Sequence, residues 1–211
     1  GAARLLQARL SEISRQFGIS FPVYVLFTKM NRLAFFEDLV RNLERLGCEV
    51  WLPPISEWLL YINYTSKQRT LRKGNYRSFI ANLVTDEIQK WIERRLTASM
   101  GDSLRHRHEP TTEALIRHAL PYMHPSFEGE AILSIGKAID FIRRGAGGLI
   151  NTMPFTCMPG TIVSAVLKRC REDHRNIPLL TIAYDGQQDG NTKTRLEAFV
   201  HQVRHDQDGK P

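Results

Sequence analysis

The chain has 211 residues, 42% of them hydrophobic and 24% charged, with a net charge of +7. That is the composition of a globular protein with enough apolar residue for a buried core, and no apolar run approaches the roughly 18 residues needed to cross a bilayer, which excludes a spanning helix. Three cysteines without a Cys-x-x-Cys pair exclude a disulfide framework, and their spacing closes no structural zinc site.

The stretch after Gly1 shows no succession of basic, apolar and small-residue regions, so the expected location is cytoplasmic and the chain is read as a piece of something longer. The charge is concentrated. Between Lys67 and Arg107 stand ten Lys/Arg and four Asp/Glu, an excess of six. Such a patch suits nucleic acid, an acidic partner or a phosphorylated cofactor, or it is a solvated helix face. No nucleic-acid-binding motif accompanies it, and neither nucleic acid nor membrane is expected as a partner.

Leu6, Leu10, Ile13 and Phe17 fall at helical spacing between Arg and Gln, predicting an amphipathic helix over 2–17. Phe21–Phe27 is a continuous apolar, β-branched run that suits a buried parallel strand. Asn31 can cap a second helix with Leu33, Phe36, Leu39, Val40 and Leu43 on its inner stripe, closed by Gly47. Cys48–Leu52 reads as a short strand stopped by Pro53 and Pro54. Helix, strand, helix, strand points to a parallel sheet with helices on its faces.

The rhythm then breaks. Ile55–Tyr64 is rich in aromatics and opens with Ser56 and Glu57, predicting a short helix; 75–96 reads as one long basic helix; Thr111 or Thr112 caps another up to about Leu120. Residues 55–125 are thus a helical insertion. Ala131, Ile132, Ile135, Ala138, Ile139 and Ile142 mark a helix over 128–144, and Gly148–Thr152 a buried strand. A helix from Gly160 to about Glu172, a strand over Ile177–Ala183 and a helix over Thr192–Val203 complete the order. The expected fold is α/β: a Rossmann-like open sheet, mostly parallel, helices on both faces, in one domain over 1–211 with residues 1–46 of separate origin.

In an open parallel sheet, ligands bind at the carboxyl ends of the strands. Two loops fall there, Met153–Gly160 and Tyr184–Asn191. The first holds Cys157 between Pro154 and Pro159, where no periodic apolar face explains a cysteine. A thiol just ahead of a helix N-terminus lies in a field that favours the thiolate, the form that ligates metals or attacks electrophiles. Cys48 and Cys170 share the spacing of core residues and are read as core. Pro154, Phe155, Met158, Gly160, Asp185 and Gln187 are the candidates for contacting a substrate or cofactor beside Cys157. No Gly-x-Ser-x-Gly, His-Glu-x-x-His or Walker A pattern is present, so no catalytic residue is assigned.

Four stretches together carry a resemblance over residues 39–204: Gly47–Trp58 (GCEVWLPPISEW), His124–Ala131 (HPSFEGEA), Met153–Gly160 (MPFTCMPG) and Thr194–Phe199 (TRLEAF). They resemble the 2-hydroxyacyl-CoA dehydratase family, in particular the dehydratase-like part of acyl-CoA dehydratase activase-related proteins. The resemblance implies a four-iron four-sulfur cluster (4Fe-4S) held by cysteines and reduced by an ATP-dependent activator, passing one electron toward a CoA thioester. It transfers one ligand to this chain, Cys157, with the others supplied by an upstream dehydratase-like domain or subunit. The chain then counts as part of a lyase that does not act alone.

The first 43 residues point elsewhere. Phe21–Asn31 (FPVYVLFTKMN) and the helix before it are similar to the GTPase-like domain of the type VI secretion IcmF protein, whose Thr-Lys-x-Asp motif reads guanine; Asn31 stands at the aspartate position. This resemblance implies the alternative function, a non-catalytic binding or scaffold module or a degenerate nucleotide-binding fragment.

Overall fold

A computed structural model describes residues 21–27, 36–74, 80, 82–89, 91, 95, 109–127, 129–185 and 191–208. The helix read over 2–17, the cap at Asn31, Leu33 and the candidate Gln187 lie outside the described residues. The chain divides into two units, one formed by 1–53 with 116–211 and one by 54–115.

In the first unit the described elements are β1 (Phe21–Phe27), α1 (Phe36–Arg45), β2 (Cys48–Trp51), then α4 (Glu130–Arg143), β3 (Gly148–Pro154), α5 (Met158–Asp173), β4 (Leu179–Tyr184) and α6 (Thr192–Asp208). The second unit holds α2 (Ile55–Arg72), and α3 (Thr112–Ala119) straddles the boundary at 115/116. The fold is mixed α/β. The four strands form one sheet in the order β2-β1-β3-β4, every neighbouring pair parallel. Phe21 is level with Cys48, Phe27 with Thr152, and Pro154 with Tyr184.

Alternation along β3 shows which helices cover which face. A Cβ on Gly148 would strike Phe199 and Val203 of α6, and Ile150 joins a core cluster with Leu39 and Leu43 of α1 and Leu196, Phe199, Val200 and Val203 of α6. Cys48 and Ile182 belong to that cluster, with Val50 and Leu52 packed against it. The intervening residues look the other way: Asn151 donates to Ser164 of α5 at 2.8 Å, and Met153 lies against Gly160 of α5. Trp51 meets Phe141 of α4 edge-on, ring centroids 6.4 Å apart. Cys48, Val50 and Leu52 therefore keep the common phase read from the sequence, and Cys48 and Cys170 are both buried.

Element ends differ from the sequence reading where local chemistry decides them. α1 stops at Gly47, whose φ of +81° is the left-handed conformation glycine adopts without a Cβ penalty; its N–H donates to Glu44 O at 2.8 Å. The helix read as short after Pro54 runs on for 18 residues, with no glycine or proline before Gly74 to break it. α3 starts as expected: Thr111 Oγ1 accepts from Ala114 N–H at 3.3 Å. α5 begins at Met158, two residues before Gly160, because a proline in the first turn forfeits no intrahelical bond and its φ already suits a helix. β4 starts at Leu179 and runs to Tyr184, and α6 passes Val203 and continues to Asp208.

In the second unit α2 and residues 82–89 are both helical and bonded through polar side chains. Lys67 Nζ lies 2.7 Å from Asp86 Oδ2, Asn82 Nδ2 donates to Ser66 Oγ at 3.0 Å, and Asn63 donates to Gln89.

Candidate functional site

The strand order fixes where a ligand site belongs. From β1 the chain steps through α1 to β2 on one side, and the later strands build out on the other, so the order reverses between β1 and β3. In open α/β sheets ligands bind outside the carboxyl ends of the strands at such a reversal. Cys157 is the third residue after β3 and so stands at that edge.

The loop around it is held firmly. Phe155 N–H donates to Tyr184 O at 2.7 Å, carrying the β3–β4 ladder one residue past the end of β3. Cys157 N–H donates to Pro154 O at 3.1 Å and closes a turn. Between them Thr156 adopts φ +65°, a left-handed conformation that costs a β-branched residue on the order of 1–3 kcal/mol. Cys157 itself is extended at φ −70°, ψ 109° and caps α5 through its backbone: its carbonyl accepts from Thr161 N–H and from Thr161 Oγ1, both at 2.9 Å. Its side chain makes no capping hydrogen bond.

α5 is seated against β3 by a close approach. A Cβ on Gly160 would stand 2.7 Å from both Cβ and Sδ of Met153, so only glycine lets the first turn lie that near the strand. Ser164 Oγ donates to Gly160 O at 2.9 Å while accepting from the buried Asn151. This polar anchor fixes the helix start that carries Cys157.

The seven candidates distribute as follows. Pro154 ends β3, Phe155 and Met158 flank Cys157 at 64% and 72% exposure, and Asp185 is exposed just beyond β4, so these share one edge of the sheet. Gly160 is buried under Met153 and acts in packing. Thr156, Asn151 and Ser164 went unnoticed in the sequence. An asparagine and a threonine inside the apolar run Gly148–Met153 were the available signal; for the left-handed Thr156 there was none.

The thiols differ sharply. Cys157 is partly exposed; Cys48 and Cys170 are buried, and burial pushes each of their thiols up to about 11. Since the thiolate is the reactive form, maleimide at neutral pH is expected to label the native chain once, at Cys157, and three times after denaturation. Peptide mass spectrometry checks this, and rapid native labelling at Cys170 would overturn the assignment.

A four-iron cluster needs four thiolate-class ligands. Cys157 has the right chemistry and exposure for one, but among the described residues no group of three His, Cys, Asp or Glu is placed to hold a metal ion. The described residues therefore do not fit a complete cluster site. Among them no helix is long and apolar enough to cross a membrane.

No curated protein and no solved structure matches the chain. One family model does, that of the IcmF-related N-terminal domain, over residues 1–53 of the 211. The match spans β1, α1 and β2, half of the strands of the sheet, and bears on the IcmF likeness read from the first 43 residues.

Proposed function

We propose that the chain is one part of a composite site of the 2-hydroxyacyl-CoA dehydratase type, built on a Rossmann-like sheet, in which Cys157 supplies one thiolate to a 4Fe-4S cluster. An upstream dehydratase-like domain or subunit supplies the remaining ligands. When bound, such a cluster supplies one-electron chemistry toward a CoA thioester, after reduction by an ATP-dependent activator. This chain's own part is to hold a thiol at the switch-point edge and to keep it oriented. The observation carrying the reading is the placement of Cys157: partly exposed, on a tethered turn at the end of β3, with its backbone starting α5. A reducing cytoplasm suits a free thiol in that role.

Anaerobic reconstitution with iron, sulfide and excess glutathione tests it, because the added thiol stands in for the missing ligands. Wild type is expected to retain protein-bound iron with visible charge-transfer absorption, and Cys157→Ser to lose most of it while melting at the same temperature. Equal iron in the two proteins overturns the assignment.

A second reading is favoured by the family match over 1–53: a binding or scaffold module of IcmF type, with or without a nucleotide. Titration calorimetry with GTP and with CoA separates the two. Heat with GTP and none with CoA would favour this module over the dehydratase reading.

A further inference from the structure

The helical segment 82–89 is oriented against its own amphipathicity. Its polar stripe of Asn82, Asp86 and Gln89 is engaged by Ser66, Lys67 and Asn63 of α2. The opposite stripe, Leu83, Val84, Ile88 and Trp91, is left 40–55% exposed, and Ile80 before it 60%. These four and Glu87 line an open depression of about 520 Å³. A contiguous apolar face of this kind marks an interaction surface.

Charge narrows what lies on it. The segment from Lys67 to Arg107 carries its excess of six positive charges, and Arg69, Arg72, Lys73 and Arg95 are exposed among the described residues. The Arg95 guanidinium sits 4.9 Å above the Trp91 ring, which sets a cation at the apolar edge in the manner of side chains at headgroup depth. A second copy of the chain would bring the same excess against itself. The described lining comes from one helical segment.

We propose that this face rests on an anionic lipid surface, with Leu83, Val84, Ile88 and Trp91 entering the headgroup boundary and the basic side chains meeting lipid phosphates and carboxylates. The sequence expectation of no membrane partner followed from the lack of a spanning run, which a helix lying in the interface does not need. Among the described lining residues Glu87 is the acidic one and opposes an anionic surface, so it supplies a discriminating variant.

The test is co-sedimentation of the whole 211-residue chain with vesicles of phosphatidylcholine alone and of phosphatidylcholine with phosphatidylserine in equal parts. Binding to the mixed vesicles is expected, weakening as salt is raised, with little binding to the neutral ones. Replacing Ile88 and Trp91 together by serine is expected to weaken binding about tenfold or more, since both act through buried apolar area. Glu87→Gln is expected to strengthen it. The proposal is overturned by no binding to the mixed vesicles, by undiminished binding of the double variant, or by weaker binding of Glu87→Gln. A dimer that the double variant abolishes, with no vesicle binding, would assign the face to a second copy instead.

Discussion

Phe199→Ala is expected to destabilise the protein by about 3–5 kcal/mol, the range for deleting a buried aromatic ring. Phe199 is 3% exposed and lies in the core cluster where α6 covers β3. Its ring occupies the space a side chain at Gly148 would take, since a Cβ there would stand 2.6 Å from Cζ. The strand beneath the ring is bare backbone and can offer nothing to fill the hole. At about 2–4 °C per kcal/mol for a chain of this size, the melting temperature should fall by roughly 6–20 °C. Gly148→Ala overpacks the same contact and should cost about 1–3 kcal/mol on its own. In the double variant the new methyl enters the void, so the two losses should fall short of additivity by about 0.5–3 kcal/mol. Strict additivity in thermal melts would mean that Phe199 does not lie on Gly148.

Asp140→Ala is the second large effect, again about 3–5 kcal/mol, the cost of removing one partner from a buried ion pair. Lys137 on α4 is only 1% exposed and Asp140 only 6%. Lys137 Nζ stands 3.8 Å from Asp140 Oδ2, and Arg144 Nε 3.1 Å from the same oxygen. That oxygen forms no hydrogen bond, so the contacts are electrostatic and loosely angled. Losing the carboxylate takes it from two cations at once, one of them fully buried. Lys137→Met should cost clearly less, because it keeps the stem volume beside Phe141 and leaves Asp140 with Arg144. Chemical denaturation of both variants checks the order, and a costlier Lys137→Met would reverse the argument.

Most of the sheet was legible because its strands are continuous apolar runs and its helices carry stripes at regular spacing. Phe21–Phe27, Gly148–Thr152 and the stripe from Ala131 to Ile142 all stand where the pattern puts them. The edge bearing the candidate site was legible from element order alone, since the residues after Pro154 and after Tyr184 do follow neighbouring strands, although the first loop begins two residues later than Met153. The left-handed Thr156 was not, because it stands between a tertiary bond, Phe155 to Tyr184, and the turn bond from Cys157 to Pro154, against the residue's own preference. The orientation of segment 82–89 is not legible either: its apolar spacing marks a helix but not which way the stripe faces, and side-chain pairs with α2 turn it outward. Neither the extra turns of α2 nor the polar bonding that goes with them shows in apolar periodicity.

The order of the strands also governs how the chain must be assembled in time. β1 lies between β2 and β3, and Val23 is paired with Gly148, 125 positions later in the chain (148 − 23). During synthesis β1 and β2 can pair early, but the other edge of β1 waits for β3 to emerge. At about 5–20 residues per second that wait is roughly 6–25 s. Throughout it the backbone groups of a central strand are open to any extended segment, the condition under which unpaired strands mispair. A nascent chain halted before Gly148 should therefore need chaperone protection, and release past Tyr184 should end that need.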